Sequence, residues 1–222
     1  MTQFQPTYQI GLFDAFNEGY DVRPVRAQDT YSYLREVHYA HRIPSISYAF
    51  GLYRDFDLVG VVTYGTPASS TLCRGICGDE WQEHVVELNR LVLRDNLENE
   101  ASRLVAKSLA QLPRPKIVVS FADTEQSHHG IVYQATNFIY TGLSAKFMDP
   151  RVRGLEHQHH ATYAHGLSNE EVIAKYGAEN VYFVQRSRKH RYIIFVGSKT
   201  ERKRMRRALR YGELPYPKPA TN

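Results

Sequence analysis

Between residues 20 and 145 apolar and polar positions fall into short alternating runs, interrupted by segments with a period near four. "YDVRPV" predicts a short edge strand, because Pro24 lacks the N–H that a central strand must donate. "DTYSYLREVHYAH" predicts a helix that starts from Asp29 or Thr30 and runs towards Pro44. "SISYAFGLY", "RDFD" and "LVGVVTYG" predict a hairpin, two alternating runs around a polar turn. "HVVELNRLVL" reads as a further strand, and alternation puts Glu87, Asn89 and Leu91 on one of its faces and Leu88 and Arg90 on the other. "EASRLVAKSLAQL" reads as a helix with Leu104, Val105, Leu109 and Leu112 on one side. "KIVVSFA" is a buried strand, "HGIVYQAT" a short helix and "NFIYTGLSA" another strand. The resulting order, β-α-β-β-β-α-β-α-β, predicts an α/β fold with a mixed sheet.

After Pro150 the pattern weakens, which predicts a core over 1–150 and an extension over 151–222. Within the extension "NEEVIAKYG" is a helix capped by Ser168 or Asn169, and "HRYIIFVG" is one more strand. "KTERKRMRRALR" is a strongly basic helix, whereas "EHQHHATYAH" lacks an apolar frame and reads as a solvated loop.

Composition narrows the function. The 222 residues are 42% hydrophobic, enough for a proper core, and no run approaches the roughly 18 apolar residues of a membrane span. "MTQFQPTYQI" lacks the basic and apolar stretches of a signal peptide, so cytosolic residence is the default. Cys73 and Cys77, the only cysteines, are too few for a disulfide framework; in "CRGIC" they could share a helix face and a metal, or be buried spectators. Net charge is +5, but eleven Lys or Arg stand between Arg186 and Arg210 against the single acid Glu201. That asymmetry points to a polyanion, above all nucleic acid, with Arg202, Lys203, Arg206 and Arg207 as phosphate contacts; the alternative is a solvated basic helix.

"VVELNRLVL" before a helix and "IVVSFA" before a shorter one resemble the Gcn5-related N-acetyltransferase (GNAT) family. The resemblance implies two central parallel strands that splay apart, with an acyl-CoA arm in the gap. Its pyrophosphate would lie at the next helix's N-terminus, where free N–H groups welcome phosphate, here at Asn99, Ala101 and Ser102. The family's loop there is rich in glycine; "RDNLENEAS" keeps only Ala101 as a small residue and adds Glu98 and Glu100. "IVYQATNF" is similar to the family's last helix, which puts Tyr133 at the position of its tyrosine acid.

A second resemblance covers almost the whole chain. "RIPSISYAFGL", "GVVTYGTP", "ELNRLVL", "NEAS", "VVSFAD" and "YQATNFIYTGLSAK" together resemble the Mom family of phage DNA-modification proteins. This implies conversion of adenine in double-stranded DNA to a carbamoylmethyl adenine in the host cytoplasm, shielding phage DNA from restriction. It also implies a GNAT-like fold and an association with acetyl-CoA and iron.

Such a product joins nitrogen to a CH2, whereas simple attack on a thioester attaches a carbonyl carbon. Either a metal activates the acetyl methyl, or the donor is another small acyl or amino-acid derivative. In a GNAT-like fold Ser120 and Asp123 of "SFADTEQSHHG" stand at the open end of the splay. Asp123 could orient or deprotonate the amine, ligate a metal with His38 and His128, or simply cap the helix at His128. Asn89 could hold the donor's amide or the base edge, and Arg90 calls for an acid or phosphate partner. Tyr48 and Tyr64 are candidates to stack an extruded adenine, with packing as the alternative for each. Two competing readings are a non-catalytic DNA-binding protein on a GNAT-like shell and an ordinary acetyltransferase.

Overall fold

The computed structural model describes residues 19–218 apart from 40, 127, 159 and 165; "MTQFQPTYQI" lies outside the described residues. Seven strands form one mixed sheet in the order β1-β2-β3-β4-β5-β9-β6. They are β1 (Tyr20–Pro24), β2 (Tyr48–Arg54), β3 (Asp57–Gly65), β4 (Val85–Leu93), β5 (Lys116–Asp123), β6 (Ile139–Leu143) and β9 (Lys189–Val196). Only β4 and β5 run parallel; every other pair is antiparallel. Pro24 ends the edge strand β1, as its missing N–H requires. The hairpin turns at Asp55 and Phe56, both with positive φ (49° and 76°), the twist that two-residue hairpin turns need.

The sheet is covered on both sides. Helix α2 (Glu100–Gln111) buries Leu104, Val105 and Leu109 against one face, with Leu112 closing its end, and helix α3 (Ile131–Ala135) adds Tyr133 beside them. The opposite face carries helix α1 (Ser70–Cys77), the 79–84 turn and the basic helix α6 (Lys199–Ala208) around Ile117, Val119, Ile193 and Phe195. Each fully buried Ile or Val contributes about 1.5–3 kcal/mol, so these strands are the stable centre. The tail then runs past β6, where Leu214 N–H donates to Tyr140 C=O at 2.9 Å and Tyr216 Oη to Phe138 C=O at 2.7 Å.

Two expectations change. The helix from Asp29 or Thr30 towards Pro44 is instead a 3-10 turn over Ala27–Thr30 and a π turn over Tyr33–Val37. Tertiary anchors outweigh local propensity there: Leu34 is fully buried and the Tyr33 hydroxyl donates to Leu58 C=O at 2.5 Å. The division at residue 150 also moves, because β9 lies inside the main sheet between β5 and β6. What stands apart is an insertion between β6 and β9. It consists of the ribbon β7 (Met148–Val152) with β8 (Val181–Gln185), and helices α4 (His160–Ala164) and α5 (Asn169–Tyr176). Val152, Tyr163, Ala164 and Val172 give it a small core of its own. "EHQHHATYAH" is therefore not wholly a solvated loop, since Tyr163 and Ala164 are buried. Ser168 caps α5 through a reciprocal bond with Glu171, as expected. Among the described residues no helix is long and apolar enough to cross a membrane.

Candidate active site at the strand splay

β4 and β5 pair only from Val85↔Ile117 to Leu88↔Ser120. At the last rung the Ser120 hydroxyl donates to the Leu88 carbonyl at 2.9 Å, a side-chain bond where the backbone ladder stops. Beyond it the strands separate around a cleft of about 770 Å³.

A bulge sets what faces that cleft. Tyr64 pairs with Leu88 and Thr63 with Arg90, so Asn89 is an extra residue without a partner on β3. One extra residue reverses the alternation that follows. Leu88 and Leu91 both join the front core, which turns Glu87 and Arg90 to the same side rather than to opposite ones. Asn89 is consumed in holding the bulge: its amide donates to Ser45 C=O at 2.8 Å and accepts from the Thr63 hydroxyl at 2.7 Å. Gly65 allows the crossing, since a Cβ there would lie 1.9 Å from the Ser45 oxygen.

Glu87 is the residue that strand alternation alone overlooked as chemistry. It lines the cleft, and burial raises its pKa above the usual glutamate value although Lys189 and Arg90 pull the other way. Arg90 also lines the cleft; its Nη1 donates to Asn89 C=O at 2.6 Å while its buried Nε finds no acceptor among the described residues. Burial lowers the Arg90 pKa, opposed by Tyr39 and Glu87. Tyr133 is buried on the same cleft; desolvation pushes its phenol up to about 12, with Ser120 pulling the other way. Gly130 starts the α3 turn with φ 69°, where a Cβ would sit 2.4 Å from the Tyr192 ring. A base with a raised pKa and a phenol that holds its proton thus share one notch.

Other expected residues fare differently. Tyr64 is fully buried, its hydroxyl 2.6 Å from Ser108 Oγ and its pKa raised by burial; it is core, not a stacking platform. Tyr48 packs partly buried against the same core and is not among the cleft's lining residues. Asp123 is not in the lining either. Its carboxylate accepts from Glu125 N–H at 3.1 Å and pairs with Lys189 Nζ at 3.4 Å, so it caps the 124–126 turn. Ser120 works as the closing rung and as a partner for Tyr133. Alongside Glu87, the fold brings in Tyr39, His129 and Lys189, which sequence patterning did not single out.

The expected iron set does not assemble. His38 and His128 both line the cleft while the Asp123 carboxylate is taken by Lys189, and among the described residues no three His, Cys, Asp or Glu are grouped to hold a metal. Burial, Arg90 and neighbouring histidines depress His38 to about 4, so its imidazole is neutral near pH 7. Cys73 and Cys77 are buried against the back face, and burial pushes Cys77 up to about 11; they are spectators.

At the mouth, Asn99 enters α2 with φ 63° and makes no side-chain cap, and the N–H groups of Ala101 and Ser102 find no acceptor among the described residues. Glu100 does not obstruct them. It is fully buried, accepting from Leu97 N–H at 3.0 Å, the Tyr20 hydroxyl at 3.0 Å and Arg54 Nη1 at 3.1 Å. Glu98 is exposed. These residues fit an anionic donor group.

On α6, Met205 is buried in the back-face core while Arg202, Lys203, Arg206 and Arg207 are exposed. Glu201, the lone acid of the basic run, makes a capping box with Ser198, and Arg206 pairs with Glu213. None of the four lines the cleft.

A notch that can take a proton on one side and return it on the other is suited to moving a group onto a nucleophile, and the protein is a transferase. It belongs to the Mom protein family, whose model matches residues 19–218. Over 226 residues it is 29% identical to Methylcarbamoylase mom of Escherichia phage Mu, covering 90% of this chain and 86% of that protein. Among solved structures it is similar to a GNAT family acetyltransferase from Bacillus cereus (13% identity, 79% of this chain and 96% of that one, TM-score 0.41). It is also similar to a GNAT family acetyltransferase from Elizabethkingia anophelis with acetyl-CoA bound (10% identity, 80% and 99%, TM-score 0.43).

Proposed function

We propose that this protein joins a carbamoylmethyl group to the exocyclic amine of adenine in double-stranded DNA. The reading is carried by the notch, where Glu87, its pKa raised by burial, stands near the protonated Tyr133 phenol. Adenine's amine is a weak nucleophile because its lone pair is delocalised into the ring. It needs a base that takes its proton as the new bond forms, and a carboxylate raised above its ordinary value is a stronger base for that role. The N–CH2 bond forms as the bond from that carbon to its leaving group breaks. The leaving group keeps the electron pair and receives a proton from Tyr133, and the proton on Glu87 restores the balance through solvent. The transferred unit must then carry its leaving group on the methylene carbon next to the amide, because attack on an acetyl thioester would yield an N-acetyl adenine instead.

Arg90 Nε and the Ala101 and Ser102 amides hold the anionic end of such a donor, a carboxylate or a phosphate. When bound, the donor supplies the two-carbon unit. Arg202, Lys203 and Arg207 supply salt-sensitive phosphate contacts. The modification would shield phage DNA from restriction inside the host cell.

The test is a nucleoside mass spectrum of plasmid DNA from cells making the chain. A deoxyadenosine heavier by one carbamoylmethyl group is expected, absent with Glu87→Gln. A native spectrum from cells containing folded protein would point to binding without chemistry, and an acetylated product would point to an ordinary acetyltransferase.

A further inference from the structure

The ribbon of the insertion leaves four large apolar side chains in solvent: Phe147 (55% exposed), Met148 (51%), Phe183 (39%) and Val184 (42%). They are neighbours. Arg186 N–H donates to Phe147 C=O at 2.8 Å, and Pro150 pairs with Phe183, Asp149 with Val184 and Met148 with Gln185. Since paired residues share a face and alternate along the strand, Met148 and Phe183 lie on one side of the ribbon and Phe147 and Val184 on the other. On the first side the opposite end, Val152 and Val181, is covered by the insertion's own core. The exposed end thus carries large apolar side chains on both faces, with the Asp149–Arg186 pair beside Phe147 and Val184 on the second, which is the shape of a wedge rather than of a sheet face awaiting one cover.

Its surroundings are cationic. Residues 144–153 and 181–191 hold seven Lys or Arg and one acid, Asp149, which Arg186 grips through both carboxylate oxygens. The ribbon is also rooted at the cleft. Ser144 N–H donates to Lys189 C=O at 2.8 Å, Lys189 N–H to Ser144 Oγ at 2.9 Å, and Lys189 lines the cleft.

We propose that this ribbon end enters a groove of duplex DNA and fills the gap left when the target base swings into the cleft. The inference rests on the reading of the protein as a DNA-modifying enzyme. A two-stranded ribbon matches the width of the major groove. A base buried in a duplex must leave the stack before its amine can react, and apolar side chains inserted at a base step hold a stack open. The cations supply the phosphate contacts on either side. A second copy of the chain is the poorer occupant, because a symmetric contact would set this positive surface against itself.

The test uses the full chain and duplexes carrying 2-aminopurine, which brightens on unstacking, in place of adenine in every flanking-base context. Wild type should brighten the probe in at least one context, and Phe147→Ser with Phe183→Ser should lose that brightening while still binding duplex. Phe56→Ser, which removes an apolar residue 95% exposed on the β2–β3 turn, should leave it intact. Brightening unchanged in the ribbon variant overturns the proposal, as does a ribbon variant that differs from wild type only in sedimenting as a smaller oligomer. Because the assay needs no donor, brightening by wild type without any modified nucleoside in cells would overturn the chemistry and leave the wedge standing.

Discussion

The lower and upper halves of the β4–β5 pair are built from the same two strands and do opposite things. Below Leu88 and Ser120 the strands are joined rung by rung, and Val85, Val86, Ile117, Val118 and Val119 are closed on both faces. Above, there is no pairing, and the polar Arg90, Lys189 and His129 look onto open space. Glu87 stands at the border, close enough to the zipped half to be desolvated and close enough to the gap to be reached. Stability and reactivity are thus divided along one strand pair, and the boundary is marked by an extra residue, Asn89, and a serine rung.

The sharpest way to break this division is Glu87→Gln. Modification should fall by on the order of a hundredfold to ten-thousandfold, as loss of a general base does, while the thermal midpoint stays near that of wild type. In wild type the rate should rise with pH through a limb above the ordinary glutamate value, because burial raises the pKa and the base must be ionised; the variant should lack the limb. Ile117→Ala should do the reverse. Its side chain is fully buried in the zipped half, so stability should drop by about 2–5 kcal/mol in a urea titration, with activity per folded molecule retained.

A change at the border should show in both measurements, more gently. Ser120→Ala leaves the buried Leu88 carbonyl and Tyr133 short of a partner, which costs about 1–3 kcal/mol and slows modification, and Ser120→Thr should recover part of both. The smallest effect belongs to His38. Its folded pKa of about 4 lies below the ordinary histidine value of 6.5, so the unfolded chain takes up the proton first and stability declines as pH falls from 6.5 towards 4. His38→Asn should flatten that decline in denaturation curves taken across the window.

Much of the fold was legible in the pattern alone. The hairpin, the apolar side of α2, the buried run of β5, the basic helix and the cap of α5 follow from periods of two and near four and from short-range capping chemistry. Tyr133 and Arg90, which line the cleft, stand out in the sequence because a tyrosine on the last helix matches a familiar motif and a charge among leucines demands a partner. Tertiary structure decided the rest. That β9 pairs along the whole of β5 depends on contacts between segments some 70 residues apart, which no local period encodes. That Arg90 takes Glu87's side of β4 rather than Leu88's depends on one unpaired residue in a ladder with β3, and the extra residue shows only when both strands are seen together. Alternation predicts the side a residue takes relative to its neighbours; the register with another strand decides which side is the inside, and where the sides exchange.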